Sequence, residues 1–399
     1  MVIGIIGGGA SGMAAALAAA ENPNATVLVF ERQARVGKKL LATGNGRCNL
    51  TNRSDPEGHY HGEEAAFARS ALEKFSVSDT LSWFRSLGLF TVAEESGRVY
   101  PFSDQANSVV DVLRLAMEKD NITLHTGYEV QKLRRKGDVF CINEEIECDK
   151  LIIACGGLAG TKLGGSMAGY KLLSKFGHKS TRLHPSLVQI KCDWHGSAAL
   201  KGVRAECYVK ILKDGELLKQ GSGEIQFTEF GLSGPVIFEL SRDVCIASGE
   251  WVAELDLLPN VSTDDLKMEL ERRRNTNLPL EELLTGVVHN RLGRVLVKSA
   301  GVKNRRFAKE LTDGEITDIC NTVKACQIDL TEPLGMDAAQ VTAGGVYTCD
   351  FDPETMESKL VPGLYACGEV LDIDGDCGGY NLQWAWSSGR LAGLSAGKE

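Results

Sequence analysis

The stretch VIGIIGGGASGMAAALAAAENPNATVLVFE, residues 2 to 31, decides the fold. Val2–Ile6 is a short β-branched run, and Gly7, Gly9 and Gly12 fit G-x-G-x-x-G. Met13–Glu21 is rich in Ala and Leu and suits a helix, Asn22-Pro23-Asn24 breaks it, and Thr26–Phe30 resumes an extended apolar run that delivers Glu31. Gly7 permits the sharp exit from the strand, Gly9 lets the backbone approach a pyrophosphate, and Gly12 lets helix and strand pack closely. The helix N-terminus then offers free N–H groups and partial positive charge to the phosphates, and Ala10 and Ser11 of the glycine turn are expected cofactor contacts. Glu31, followed by Arg32, lies nineteen residues past Gly12, where an acid accepts hydrogen bonds from an adenosine ribose. A lone glycine pattern is also found in other α/β loops; the flanking strands, the helix former and the acid in register favour a dinucleotide.

Working outward, 399 residues leave room for more than one domain, and 43% hydrophobic with 24% charged residues is ordinary for a globular chain. A net charge of -9 argues against nucleic acid or an anionic membrane surface as partner. No apolar run reaches transmembrane length, and no signal peptide is expected, because the first strand begins at residue two. The twelve cysteines are scattered without C-x-x-C, which disfavours zinc and redox dithiols and suggests the cytoplasm.

A loop rich in Gly, cations and amides follows the acid. Lys39, Leu40, Gly44, Asn45, Gly46, Arg47, Cys48 and Asn49 suit phosphate, ribityl hydroxyls or ring edges better than a merely solvated loop. Ser70–Leu87 reads as one amphipathic helical segment, Asn107–Lys119 as a helix, and Ile122–Thr126 and Glu129–Leu133 as short strands. Lys150–Cys155 is a buried strand running into Gly156-Gly157. From about Ser186 the chain is mainly β, and from Ser262, an expected N-cap, to about Leu330 it is charged and helix-rich. β character then returns, and Leu382–Leu394 suits a closing helix.

No second strand–glycine–helix unit appears, so one nucleotide is held. Three further glycine-rich strand ends, Gly44–Asn52, Cys155-Gly156-Gly157 and Gly368–Leu382, favour FAD over NAD. Gly368-Glu369 places a carboxylate where ribityl hydroxyls lie, and Gly379-Tyr380-Asn381-Leu382 opens a helix whose N-terminus can face the flavin pyrimidine. Glu369 as a plain helix-cap acid is the alternative.

Together these residues resemble the YhiN/HI0933-like, or BaiN-like, family of bacterial flavoproteins, which share the glutathione-reductase type of FAD fold. The likeness spans nearly the whole chain, through Gly7–Met13, Gly37–Asn52, Gly97–Pro101, Phe227–Pro235, Val341–Val346 and Thr355–Gly389. It implies a three-layer, Rossmann-like α/β FAD-binding domain (1-186 and 335-399) interrupted by a β-barrel-like domain (187-258) and a small helical domain (259-334). It also implies a backbone contact from Val130 to the adenine. Ala168 stands where relatives tend to carry an acid, and Glu229 where many carry His.

FAD implies hydride chemistry. The resemblance implies NAD(P)H-linked reduction of a conjugated C=C in a small apolar substrate such as a bile-acid-type enone. The alternatives are a flavin amine oxidase using O2 and, third, a flavoprotein without turnover or a flavin-dependent nucleic-acid modifier, the last opposed by the acidic charge. NAD(P)H would be a transient hydride donor, and the expected partner is a small molecule, not nucleic acid or membrane. Candidate groups near the flavin are Arg47, Asn49, Tyr100, His184 and Tyr380, of which His184 has an equally good structural explanation and Tyr380 reads as packing over the flavin. Arg98 reads as a surface ion-pairing residue in preference to a substrate anchor.

Overall fold

Alternating buried strands and an alanine-rich helix build the first unit of the protein. A computed structural model describes residues 1–302 and 307–398, in two units: Met1–Pro185 with Met336 onward, and Ser186–Gly335. In the first unit, β1 (Val2–Ile6), β2 (Thr26–Glu31), β3 (Ile122–Thr126), β4 (Lys150–Ile153) and β5 (Leu364–Ala366) form a parallel sheet in the order β5-β4-β1-β2-β3. Its central strands are near-continuous apolar runs because both faces are covered. Register sets Ile6 beside Ile153 on one side and Phe30 on the other. Gly7, Glu31 and Ala154 therefore share one carboxyl edge, where open parallel sheets bind ligands.

Helix α1 (Ala10–Ala19) is buried from Ser11 to Ala19, with no polar face. Helix α2 (Tyr380–Ala396) packs along it. Small residues allow the approach: a Cβ on Gly389 would lie 2.4 Å from the Ser11 carbonyl oxygen, and one on Gly393 would lie 2.3 Å from that of Ala15.

Three local expectations are corrected. Ser70–Leu87 is two helices, Ala68–Lys74 and Val77–Ser86, because Ser76 caps the second. Its hydroxyl accepts from Asp79 N at 3.2 Å while the Asp79 carboxylate accepts from Ser76 N at 2.9 Å. The expected strand Glu129–Leu133 runs instead over Leu133–Lys136. The Asn143 side chain takes the amides of Gln131 and Lys132 at 3.0 and 3.1 Å and donates to the Glu129 carbonyl at 2.9 Å, replacing a ladder. The third concerns the far end of the helix-rich segment.

That segment belongs to the second unit, whose frame is a closed antiparallel barrel. Its strands follow the order Ile190–Asp193, Gly231–Ser233, Glu216–Phe227, Arg204–Lys213, Trp251–Asp256 and Cys326–Pro333, the last pairing back to the first. Cys326–Pro333 was expected to be partly helical. Its alternating burial, with Cys326, Ile328 and Leu330 inward, has the period of a strand. Ser262 caps helix Thr263–Arg274, accepting from Asp265 N at 3.1 Å. Barrel and helical side chains share one hydrophobic core. No described helix is long and apolar enough to cross a membrane.

Candidate cofactor site and active centre

The carboxyl edge of the parallel sheet gathers the glycine turns. At Gly7 φ is 112°, and a Cβ would lie 2.3 Å from the Ala154 carbonyl oxygen, so no larger residue fits. Nothing lies within 4 Å of the Cβ position at Gly9, which heads α1 without a side-chain cap. The first-turn amides at Ala10, Ser11 and Gly12 have no acceptor inside the helix. Glu31 is locked at the end of β2, its two oxygens accepting from Gly8 N at 2.8 Å and Gln33 N at 2.7 Å. Gly127 N donates to the Gln33 carbonyl and Tyr128 N to that of Glu31, which brings the segment leading to buried Val130 to the same edge. The Arg32 guanidinium is spent on the Gly164 carbonyl, at 2.6 Å.

Next along the edge, Glu369 binds Lys39 Nζ at 2.7 Å through one oxygen and accepts from Thr342 N at 2.9 Å through the other. Gly157 lies against both, since a Cβ there would be 2.6 Å from Glu369 Oε1 and 2.4 Å from Thr342 Oγ1, while at Gly156 the corresponding space is open. A Cβ on Gly368 would meet the Ser11 hydroxyl at 2.5 Å. The first glycine turn and the C-terminal strand end therefore touch, although more than three hundred residues separate them. Burial pushes the thiols of Cys48, Cys155 and Cys367 up to about 12, so they stay protonated and act as packing groups. Leu40 is buried beside them in the same core.

The loop after Leu40 docks on strand Arg98–Pro101, with Leu50 N donating to the Val99 carbonyl at 2.7 Å. Gly44, Asn45, Gly46 and Cys48 all take left-handed backbone, which interrupts the helical turns of this short loop. Asn52 Nδ2 donates to the Gly378 carbonyl at 2.9 Å, tying the loop to the start of α2. Asn49 Oδ1 is buried without a hydrogen-bond partner, and it lies 2.9 Å from where a Gly379 Cβ would be. Gly379 heads α2 with no side-chain cap, so the amides of Tyr380, Asn381 and Leu382 are first-turn donors. The Asn381 side chain clamps the turn before it, accepting from Gly375 N at 2.9 Å and donating to Gly375 O at 2.6 Å. A buried orphan acceptor beside an uncapped helix start fits the edge of an isoalloxazine, which carries both an N–H donor and carbonyl acceptors. The residues present thus suit FAD at both ends of the molecule.

Beside this helix start stands a group that sequence reasoning missed. Asp376 accepts from His59 Nδ1 at 2.9 Å and His61 Nε2 at 2.7 Å, one imidazole on each carboxylate oxygen. The His59 ring stacks on Tyr380, centroids 4.3 Å apart and planes 16° apart, and Tyr60 Oη donates to the Tyr380 carbonyl at 3.1 Å. The signal was the alternation His59-Tyr60-His61 together with the acids of Asp372-Ile373-Asp374-Gly375-Asp376. Arg47 lies over the Tyr100 ring at 3.9 Å and pairs with Asp104 and Glu94, and burial pushes the Tyr100 phenol up. Arg98 Nε lies 3.5 Å from the Cβ position of Gly378. The contacts described here join Arg47 to Tyr100 and draw Asn49, Tyr380 and Arg98 to the Gly378–Gly379 turn; they do not include His184, half-buried on the short strand His184–Ser186. Of the two family departures, Ala168 opens helix Ala168–Ser174, and exposed Glu229 pairs with Lys201 at 2.7 Å.

A family profile described as HI0933-like protein Rossmann domain matches residues 1–395. The chain is 40% identical to a 3-dehydro-bile acid delta(4,6)-reductase of Clostridium scindens, covering 99% of this chain and 98% of that one. It is 32% identical to a ribosomal RNA dihydrouridine synthase of Escherichia coli (96% and 95% covered), and 28% identical to one of Haemophilus influenzae (99% and 98%).

Proposed function

We propose, from the premise that this chain belongs to the HI0933-like family and is an FAD-dependent oxidoreductase, that it reduces a C=C conjugated to a carbonyl in a small apolar, steroid-like substrate at the expense of NAD(P)H. The observation that carries this reading is the 40% identity over nearly the full length of both chains with the bile-acid reductase. The activities of these relatives also share one reaction class. A Δ4,6 unsaturation next to a 3-oxo group and the uracil C5=C6 bond are both alkenes polarised by a carbonyl.

Bound FAD supplies the hydride. Around it, the first-turn amides of α1 would hold the pyrophosphate and Glu31 the adenosine ribose. Glu369, fixed by Lys39 and Thr342, would bind ribityl hydroxyls. Asn49 Oδ1 and the amides at the start of α2 would hold the ring edge, where that helix end favours negative charge.

A second reading, uridine in ribosomal RNA, is favoured by the synthase relatives. The net charge of -9 opposes it, because RNA binding draws most of its affinity from cationic surface. The deciding experiment follows the flavin absorbance anaerobically. NADH or NADPH should bleach it, and a 3-oxo-4,6-diene bile acid should restore it faster than a uridine-containing RNA does. Restoration by RNA alone would select the second reading. Absence of bleaching by either nicotinamide, with peroxide formed from aminoacetone in air, would replace both with an amine oxidase.

A further inference from the structure

Reduction of a polarised C=C needs a proton as well as a hydride, and the cofactor-binding residues described above leave that proton without a source. From the geometry of the group around Asp376 we infer that His59 delivers it, with Asp376 and His61 as positioning residues. The inference rests on the alkene-reductase reading above.

Three observations carry it. First, the cluster stands at the start of α2. His59 stacks on Tyr380, the first residue of that helix, and Asp376 lies three residues before the Gly379 cap. Second, each imidazole spends one nitrogen on Asp376, so His59 Nε2 and His61 Nδ1 are left for other partners. A carboxylate accepting from Nδ1 orients the His59 ring and leaves Nε2 as the end that can pass a proton to substrate. The His59 side chain is 35% exposed, against 17% for Asp376, so the donor end can be recharged from water. Third, the side chains are not needed as a clamp. Tyr60–His61 already pairs with Asp374–Gly375, and Asp376 N donates to the His59 carbonyl at 3.0 Å. No group of His, Cys, Asp and Glu among the described residues could hold a metal ion, so a ligand set does not explain the arrangement.

The step balances. FAD, when bound and reduced, would supply the hydride and its electron pair to the carbon β to the carbonyl. The C=C π pair forms the new bond between the α-carbon and the proton from His59 Nε2. The imidazolium becomes imidazole and takes a proton from solvent, and NAD(P)H would be the two-electron reductant that balances the turnover. The groups facing His59 are Asp376, Tyr380 and, through Asp376, His61, with Tyr60 edge-on to Tyr380.

The test uses the FAD-loaded protein and its His59→Gln and Asp376→Asn variants. After anaerobic reduction, reoxidation by the enone is compared with reoxidation by ferricyanide, which takes electrons and needs no carbon protonation. Histidine 15N shifts of the oxidised proteins are recorded against pH. The expected result is enone reoxidation slowed by about a hundredfold or more in His59→Gln, with FAD content and the ferricyanide reaction retained. The wild-type enone rate should be slower in D2O, and this dependence should vanish in the variant. The 15N spectra should show His59 carrying a proton at Nδ1, held by Asp376, and lose that signature in Asp376→Asn. A wild type that the enone does not reoxidise refutes the proposed function, and this inference with it. Wild-type enone rates and isotope effects in both variants refute this inference alone. Equal loss of the enone and ferricyanide reactions assigns the cluster a structural role and also overturns it.

Discussion

Gly389→Ala tests whether the cofactor turn depends on how closely α2 approaches α1. Gly389 is buried, and an added Cβ would sit 2.4 Å from the Ser11 carbonyl oxygen and 3.1 Å from Ala14 Cβ. Ordinary contact begins near 3.4 Å, so the helices must part locally by about 1 Å. The obstacle is backbone and cannot swing aside, which puts the cost near the upper end of the overpacking range, about 3 kcal/mol. Replacing a mid-helix Gly by Ala returns about 1 kcal/mol, leaving about 2 kcal/mol unfavourable. Ser11 belongs to the first turn of α1, whose amides are assigned to the pyrophosphate, and its hydroxyl lies against Gly368. If the displacement is paid by the bound geometry, FAD affinity falls by about thirtyfold. Titration of the apoprotein by flavin fluorescence measures this, with thermal unfolding in parallel. Gly397→Ala serves as control, since its nearest obstacle is 3.2 Å away and its φ is -76°, and it should stay within about 0.5 kcal/mol of wild type. Unchanged FAD affinity and unfolding temperature in Gly389→Ala would refute the reasoning.

Other consequences can be checked separately. Glu369→Gln removes the charge paired with Lys39 and leaves an acceptor for Thr342, so FAD should bind about tenfold more weakly by the same titration. Gln383 is 2% exposed and bonds Thr51, Thr80, Ser387 and the Phe75 carbonyl; Gln383→Leu strands the Thr51 hydroxyl and should cost about 2–4 kcal/mol in urea unfolding. Iodoacetamide at pH 8 should label exposed Cys349 in the folded protein and reach Cys48, Cys155 and Cys367 only on unfolding, as peptide mass spectrometry would show. Arg272 and then Arg273 hold the Glu269 carboxyl down to about 2 from its usual 4.5. A depressed folded-state value means that this contribution is full above pH 4.5 and lost as pH falls toward 2, so Glu269→Gln should flatten acid unfolding in that window.

What could be read without coordinates was local or tied to backbone. Gly7, Gly12 and Glu31 declare themselves because each answers a demand of the nearby chain: a left-handed turn, a close helix, a carboxylate at a strand end. Gly368-Glu369 and the Gly379 turn were legible for the same reason. Cys326–Pro333 carried a strand period, yet it followed a long helical run and pairs with Ile190–Asp193, a partner that no local pattern names. Ser76 and Asp79 show a narrower failure, since the capping pair was present but lay inside an apolar period that continued across it. The His59–Asp376–His61 group was hidden for a different cause. Its parts lie over three hundred residues apart, and each by itself is an unremarked polar residue near a turn. They become a group only because Tyr60–His61 adds to Asp374–Gly375, a two-residue pairing too short to leave a periodic trace. Cofactor contacts made by backbone leave glycine in the sequence, whereas side chains that move protons leave residues common on any surface. The half of an active centre that binds is therefore easier to read than the half that reacts, and in this protein the two halves meet at the start of α2.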